Sequence, residues 1–236
     1  MKGLITINDP KSPISESYRG IRTSIQFSNL DKKIKVINVT SSKEGEGKTT
    51  VLSNLATTFA NLEKKVLILD GDLRKPTIHR MFELTNVCGL TDVLLEEKSF
   101  EECVHCTDTK NLHVLTCGAI PPNPSELLAS NKMTDFVNSL KDRYDYIFID
   151  TPAIGVVTDA GIISTYSDGC IFVVGAKNAE IETVKISIER LESLGANILG
   201  GILNKFEVNK GSSDYYSDYY KKGRRFSKKL KRKKKK

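Results

Sequence analysis

The sequence lacks the marks of a membrane or secreted protein. None of its apolar runs approaches the roughly 20 residues that cross a bilayer, and its first residues contain no apolar signal-peptide core. The chain has five cysteines, and an odd number fits reduced thiols better than a framework of disulfides. We therefore expect a cytoplasmic protein with reduced cysteines.

Zinc ligands are also scarce, although Cys103 and Cys106 form one C-x-x-C pair with Cys88 and Cys117 nearby. No second C-x-x-C pair follows, and the three histidines of the chain form no ligand set. We expect reduced, partly buried thiols in this region rather than a metal site.

Acidic residues are absent from residues 221–236, where the sequence has twelve Lys or Arg. The whole chain has 36 Lys or Arg and 29 Asp or Glu, so its net charge of +7 arises from this segment and the remainder is acidic. A uniformly basic nucleic-acid-binding domain is therefore disfavoured, and we expect no specific nucleic-acid partner.

What the sequence does contain is a series of continuous apolar runs separated by helical patterns. Continuous runs are typical of strands buried on both faces of a parallel sheet. The clearest helical patterns are Lys48–Leu62, Asn131–Arg143 and Glu180–Leu194. This alternation predicts an α/β fold with a doubly wound, mostly parallel sheet flanked by helices. The predicted strands are Lys35–Thr40, Lys65–Asp70, Leu112–Thr116, Tyr144–Asp150, Gly169–Gly175 and Asn197–Asn204.

We divide the chain into three parts. Residues 1–34 are an N-terminal segment with one helix, residues 35–206 are the α/β core, and residues 207–236 are a polar tail. The tail contains a tyrosine cluster with nothing apolar around it, so we expect it to be disordered.

The stretch "SSKEGEGKTT" at residues 41–50 follows the first predicted strand and opens the first long helix. Its backbone N–H groups are expected to point at phosphate, because glycine permits close approach and a helix N-terminus attracts anions. Lys48 is expected to reach the β- and γ-phosphates, and the Thr49 hydroxyl to face Mg²⁺. Ser42 stands where the P-loop pattern has its first glycine, and an ordinary glycine turn is the alternative. The predicted nucleotide-binding residues of this stretch are Gly45, Glu46, Gly47, Lys48, Thr49 and Thr50.

Carboxylates stand at the ends of two predicted strands. Asp70 and Asp72 lie in "VLILDGDLRKP", and Asp150 ends "YDYIFID". Ligands of parallel sheets bind beyond the carboxyl ends of the strands, and Mg²⁺ needs hard oxygen ligands beside phosphates. The three aspartates and the P-loop therefore predict one site, although each Asp alone would more often be a cap or turn residue.

The stretches "DGDLRKPTIHRMF", "GLTDVL", "NPSELLAS" and "FIDTPAIGVVTDA" resemble the bacterial tyrosine kinases of capsule and exopolysaccharide synthesis. The resemblance runs from about residue 15 to residue 204 and continues in the tyrosine-rich tail. It implies a P-loop NTPase fold and an ATP-dependent protein-tyrosine kinase that uses Mg²⁺. The Walker A, A-prime and Walker B motifs of that family fall on Gly45–Thr50, Asp70–Asp72 and Asp150.

The same resemblance implies catalytic or metal-binding roles for Lys48 and the three aspartates. We expect Lys48 to offset charge in the transition state, and Thr49, Asp72 and Asp150 to hold Mg²⁺ directly or through water. We expect Asp70 to accept the proton of the tyrosine hydroxyl, although the assignment between Asp70 and Asp72 stays open.

Three residues near these motifs have two interpretations each. Asn204, which ends the last predicted strand, is expected from the resemblance to bind adenine, and a turn residue is the alternative. Arg74 and Lys75 either contact phosphate or only solvate their turn.

The alternative class is the ATPases with a deviant Walker motif, which position septa or partition plasmids. They have a second lysine early in the P-loop, and Lys43 occupies that position here. The helix pattern "ESYRGIR", the "DLRKP" form of the second motif and the tyrosine-rich tail favour the kinase.

The tail "SDYYSDYYKKG" offers a cluster of phosphate acceptors. Asp214 and Asp218 precede its two tyrosine pairs and give an acidic context. A solvated tail without function is the alternative. The expected acceptors are Tyr215, Tyr216, Tyr219 and Tyr220.

The stretch "ESYRGIR" places Glu16, Arg19 and Arg22 close to one face of a helix. In the resembling family this E-x-x-R-x-x-R pattern joins subunits into rings, in which unphosphorylated subunits phosphorylate each other's tails. The alternative is an intrahelical Glu16–Arg19 ion pair, which contributes only a few tenths of a kcal/mol.

The resemblance also implies partners outside the chain. They are a membrane adaptor of the polysaccharide chain-length type, which activates the kinase and holds it at the inner face of the membrane, and a cognate tyrosine phosphatase. We expect residues 221–236 to contact anionic lipid or an acidic face of the adaptor, against the alternative that they only aid solubility.

Overall fold

A seven-stranded sheet forms the centre of the structure, a computed structural model that describes residues 4–28, 34–176 and 178–207. Its strands are β1 Val36–Ser41, β2 Val66–Asp70, β3 Val104–Cys106, β4 Leu112–Leu115, β5 Tyr146–Asp150, β6 Gly169–Gly175 and β7 Ile198–Asn204. The strand order is β3-β4-β2-β5-β1-β6-β7, and only the β3–β4 pair is antiparallel. The predicted doubly wound, mostly parallel sheet is confirmed.

The described residues form ten helices between and before these strands. The helix α8 begins after Ser130, whose Oγ accepts a hydrogen bond from the Met133 N–H at 3.2 Å, as an N-cap residue does. The helices are α1 Ile5–Asn8, α2 Pro13–Ser28, α3 Lys48–Ala60, α4 Ile78–Phe82, α5 Leu90–Leu94, α6 Phe100–Cys103, α7 Pro124–Leu128, α8 Asn131–Leu140, α9 Asp159–Ser164 and α10 Ile181–Ser193.

All six predicted strands and all three predicted helices occur, with ends that differ by at most three residues. The strand β3 was not predicted, because its three residues are partly or fully exposed and form no apolar run. It lies at the sheet edge, where a short antiparallel strand needs little apolar surface.

Helices cover both faces of the sheet. On one face, Leu55 and Phe59 of α3 lie in a buried cluster with Phe148 of β5. On the opposite face, Val137 of α8 lies in a second cluster with Ile147 of β5. Alternate residues of the same strand therefore enter two cores, which explains why the strands read as continuous apolar runs.

Two of the five cysteines are joined, which corrects the expectation that all are reduced thiols. Cys88, just before α5, and Cys103, at the end of α6, form a disulfide, with their Cα atoms 5.2 Å apart. Cys106 is exposed, and Cys117 and Cys170 are buried as free thiols. The C-x-x-C pair is thus divided, with Cys103 committed to Cys88.

The helix α2 packs directly on α3, and residues up to Lys205 belong to one compact unit. The division at residues 34 and 206 stays a prediction. Within the ranges given above, no helix is both long enough and apolar enough to cross a membrane. The tyrosine cluster and the basic run at 221–236 lie outside the described residues.

Candidate nucleotide and phosphoryl-transfer site

The P-loop connects β1 to α3 at the carboxyl edge of the sheet. Gly45 and Gly47 have φ angles of 77° and 96°, in the left-handed region that favours glycine. A Cβ atom on Gly47 would lie 2.2 Å from Nδ2 of Asn204. Glycine is therefore required at position 47, because the φ angle is positive and because Asn204 leaves no room for a Cβ atom.

The carboxylate of Glu46 holds the P-loop in place through hydrogen bonds within the loop and to the end of β6. Glu46 is fully buried and accepts hydrogen bonds from Ser42 Oγ at 2.9 Å, from the Lys43 N–H at 2.7 Å and from the Gly175 N–H at 2.9 Å. The sequence analysis gave Glu46 only a backbone role, because the P-loop pattern accepts any residue at this position. The side chain instead fixes the loop to the end of β6.

Two residues at the end of β7 also hold the P-loop, through hydrogen bonds to its carbonyl groups. Asn204 donates from Nδ2 to the Glu46 carbonyl at 2.8 Å, and Lys205 donates from Nζ to the Gly45 carbonyl at 2.5 Å. Asn204 therefore lies at the P-loop and supports it through this hydrogen bond. Its contact with adenine stays a prediction.

Two of the predicted aspartates lie side by side on β2 and β5, where Asp70 pairs in register with Asp150. Thr49 Oγ1 donates to Asp150 Oδ2 at 2.6 Å, and the Ile78 N–H donates to Asp70 Oδ2 at 3.1 Å. The Oδ1 atom of each aspartate is buried and has no hydrogen-bond partner. A pair of unpartnered carboxylate oxygens in one buried position is costly unless a cation joins them.

Burial shifts the protonation of both carboxyl groups. Desolvation, followed by the nearby charge of Asp150, raises the pKa of Asp70 well above its ordinary value. Desolvation also raises the pKa of Asp150 to about 7, against the lowering effects of the Thr49 hydrogen bond and the Lys48 charge. Both groups would ionise more readily beside a bound cation.

These residues fit Mg²⁺. Three side chains with hard oxygen donors are neighbours here: the Thr49 hydroxyl is bonded to the Asp150 carboxylate, and Asp150 pairs in register with Asp70 on the adjacent strand. Within the described residues no group of three or more His, Cys, Asp or Glu is arranged to hold a metal alone. Mg²⁺ needs no such cage, because it keeps water ligands and binds through one or two carboxylates and substrate phosphates.

Asp72 lies apart from this buried pair, on the wall of an open pocket. The pocket has a volume of about 250 Å³, and Lys48, Thr49 and Asp72 line it together with Glu44, Lys75 and Val156. Asp72 Oδ1 accepts from the Lys75 N–H at 2.9 Å, which shapes the turn after β2. The pocket thus joins the P-loop to the A-prime stretch, and the carboxylates of Glu44 and Asp72 line it, whereas Asp70 and Asp150 are buried.

Arg74 also lines the pocket but is committed to the protein. Its Nε donates to Asp159 Oδ2 at 2.7 Å, and Nη2 donates to Asp159 Oδ1 at 3.1 Å and to Ser125 Oγ at 2.8 Å. The Asp159 side chain is fully buried. Arg74 therefore ties the A-prime turn to α7 and α9.

Known proteins are similar to this chain in sequence and in fold. The family model described as an AAA domain matches residues 34–198. The tyrosine-protein kinase YwqD of Bacillus subtilis is 42% identical over 215 residues, which cover 91% of each chain. The chain belongs to the bacterial tyrosine kinases.

The kinase also resembles solved structures of this family. The crystal structure of the chimerical protein CapA2B2 matches with a TM-score of 0.85 and 40% identity, over 88% of this chain and 92% of that one. MinD of Pyrococcus horikoshii OT3, a septum site-determining protein complexed with Mg-ADP, has a TM-score of 0.62 and 28% identity, over 77% and 76% of the chains. The P-loop fold is confirmed, and the septum-positioning class is a more distant relation.

The same domain occurs within longer kinases. The tyrosine-protein kinase wzc of Salmonella typhimurium is 33% identical over 218 residues, which cover 92% of this chain but 30% of that one. The kinase described here therefore corresponds to about a third of that relative.

The predicted oligomerisation residues of the kinase lie on α2, but their side chains differ in role. Arg19 pairs with Glu16 in the intrahelical ion pair and also donates to the Pro10 carbonyl. Arg22 turns toward α3, where Nη1 donates to the Thr58 carbonyl at 2.9 Å. Glu16 and Arg19 are therefore the members available to another subunit, and ring formation stays a prediction.

Proposed function

We propose that the kinase transfers the γ-phosphoryl group of ATP to tyrosines in the tail of another copy, and thereby regulates capsular or exopolysaccharide synthesis. The observation that carries the proposal is one pocket lined by Lys48, Thr49 and Asp72, in a chain of this family. Thr49 is bonded to Asp150, which pairs in register with Asp70. The acceptors are the tail tyrosines Tyr215, Tyr216, Tyr219 and Tyr220.

The nucleotide phosphates bind at the P-loop, with Lys48 beside the β- and γ-phosphates. Bound Mg²⁺ supplies charge neutralisation at the phosphates, and Thr49 and Asp150 hold it, as the sequence analysis predicts. The free oxygen of Asp70 makes this residue a further metal-side ligand. Asp72, the third predicted ligand, lines the same pocket as Thr49 and would hold Mg²⁺ directly or through water.

Asp72 is then the better proton acceptor for the attacking tyrosine. It lines the pocket that an incoming phenol would enter, whereas Asp70 is fully buried and bonded to the Ile78 N–H. A phenol has a pKa near 10 and is neutral at pH 7, so a carboxylate near the attacking oxygen assists transfer. We therefore favour Asp72 over Asp70 in this role.

The remaining steps lie outside the nucleotide site. Ring-like assembly through α2 would present the tail of one subunit to the pocket of the next. A membrane adaptor of the polysaccharide chain-length type would activate the kinase and hold it at the cytoplasmic face of the membrane. A cognate tyrosine phosphatase would reset the tail.

Incubation with ATP and Mg²⁺, followed by detection of phosphotyrosine, tests the proposal. The assay is run with and without a candidate adaptor peptide, and wild type should give a signal when the peptide is present. Lys48→Met should abolish it, and replacement of the four tail tyrosines by Phe should remove the acceptors. A signal that survives Lys48→Met would place the reaction elsewhere, and ATP hydrolysis without phosphotyrosine would favour the septum-positioning class.

A further inference from the structure

One ion pair crosses the mouth of the phosphate pocket. Nζ of Lys75, in the A-prime turn, lies 2.8 Å from both carboxylate oxygens of Glu44, in the P-loop. Both side chains line the same pocket as Lys48 and Thr49. The pair is open to solvent, with side-chain exposures of 68% for Lys75 and 58% for Glu44.

The charge of Glu44 is unusual in this position. Anion sites at helix N-termini are surrounded by donors and positive charge, yet this carboxylate stands on the rim. The Lys75 bond and charge, together with the Lys48 charge, lower the pKa of Glu44, so it remains ionised at neutral pH. A fixed negative charge here would repel incoming phosphate if the Lys75 ammonium group did not offset it.

The other basic side chains near the pocket already have partners or belong to the P-loop. Arg74 is held by the buried Asp159, and Lys43 pairs with Glu180 at 2.7 Å away from the pocket lining. Lys48 belongs to the P-loop itself. Of the described cations that line the pocket, Lys75 is therefore the one held only by an exposed, exchangeable partner.

We propose that Lys75 recognises the γ-phosphate, and that Glu44 is a stand-in anion that holds Lys75 while no γ-phosphate is present. Exposed ion pairs contribute little to stability, so Lys75 can leave Glu44 at small cost. A γ-phosphate offers more negative charge than a carboxylate, and the four-carbon stem of lysine allows the ammonium group to turn inward. ADP has no γ-phosphate, so with ADP the Glu44–Lys75 pair stays closed.

The inference rests on the proposed nucleotide site and is tested by binding without turnover. Calorimetry would compare the β,γ-imido analogue of ATP with ADP, both with Mg²⁺, on the full-length, unphosphorylated chain. Lys75→Gln should weaken binding of the imido analogue about tenfold, the effect of a lost charge-assisted hydrogen bond, and change ADP binding less than about twofold. Glu44→Gln should strengthen binding of the analogue and leave ADP binding nearly unchanged.

The double variant and a remote pair complete the test. In Glu44→Gln/Lys75→Gln the gain from Glu44→Gln should vanish, because Glu44 acts through Lys75. Lys132→Gln, which breaks an exposed pair with Glu96 elsewhere, should affect neither nucleotide. If Lys75→Gln weakens both nucleotides equally, or neither, the proposal fails while the nucleotide site stands. If wild type binds neither nucleotide, both this proposal and the proposed function fail.

Discussion

At the scale of single residues, the buried carboxyl group of Asp150 lowers the stability of the folded protein when it is ionised. Burial raises its pKa to about 7, so between about pH 4 and pH 7 the folded chain binds a proton that the unfolded chain has lost. Stability due to this group therefore falls as pH rises through that window, and the full penalty is present above it. Function, rather than stability, accounts for such a residue.

Asp150→Asn should consequently stabilise the nucleotide-free protein while abolishing phosphotyrosine formation. Urea unfolding at pH 8 should show a gain on the order of 1–4 kcal/mol, and a smaller gain at pH 5. Asp72→Asn is the matched control, because Asp72 lies on the open pocket wall and should give no comparable gain. Equal effects of Asp150→Asn at the two pH values would contradict this account.

A second prediction concerns Arg74, which neutralises the fully buried side chain of Asp159. Arg74→Ala leaves that carboxylate with only the Ser125 hydroxyl, so we expect a loss of about 2–3 kcal/mol of unfolding free energy, below the range for fully buried pairs because Arg74 is partly exposed.

Denaturant unfolding measures this loss, and Lys75→Ala on the same turn serves as control. The Lys75 side chain pairs only with exposed Glu44, so its removal should lower the unfolding free energy much less than removal of Arg74 does. If the double variant Arg74→Ala/Asp159→Asn is no more stable than Arg74→Ala alone, the unpaired carboxylate is not the cause.

The site residues that could be predicted from sequence are those that a motif places at the end of a strand or the start of a helix. Lys48, Thr49 and Asp150 lie at strand ends or helix starts, and the fold brings such positions together. The role of the Glu46 carboxylate could not be predicted, because its partner Gly175 is 129 residues away. The bond between Arg74 and Asp159, 85 residues apart, was hidden for the same reason.

At the scale of elements, the apolar runs predicted the sheet well, because strands buried on both faces have no polar alternation to confuse them. The short exposed strand β3 and most of the helices of four to six residues were not predicted, since such short elements show no full period. The helix α2 was predicted from its charge pattern, yet the pattern did not reveal that Arg22 bonds to α3.

That difference sharpens the test of ring formation. Glu16→Ala/Arg19→Ala should abolish higher oligomers in light scattering without lowering the melting temperature, because this exposed pair contributes little to the fold. Arg22→Ala should lower the melting temperature as well, since it removes a partly buried bond to the Thr58 carbonyl. An unchanged oligomer in the triple Ala variant would exclude α2 as the subunit contact.

At the scale of the whole molecule, charge is divided between an acidic body and a basic end. All twelve basic residues of 221–236 follow directly on the four acceptor tyrosines. Near an anionic leaflet each basic residue contributes about 1 kcal/mol, so engagement of even a few would hold the chain at a membrane. Each phosphate adds about −1.5 to −2 charges, so four would add roughly −6 to −8 beside the basic run.

Phosphorylation of the tail should therefore release the kinase from anionic lipid. Co-sedimentation with vesicles that contain anionic lipid, at low and high salt, would compare unphosphorylated protein, phosphorylated protein and a chain that ends at Tyr220. We expect strong binding at low salt for the first only, and weaker binding at high salt because the attraction is screened. The variant with four Phe in place of the tail tyrosines is the matched control, since ATP should leave its binding unchanged. If the truncated chain binds as well as the full chain, or phosphorylation has no effect, residues 221–236 are not the membrane contact.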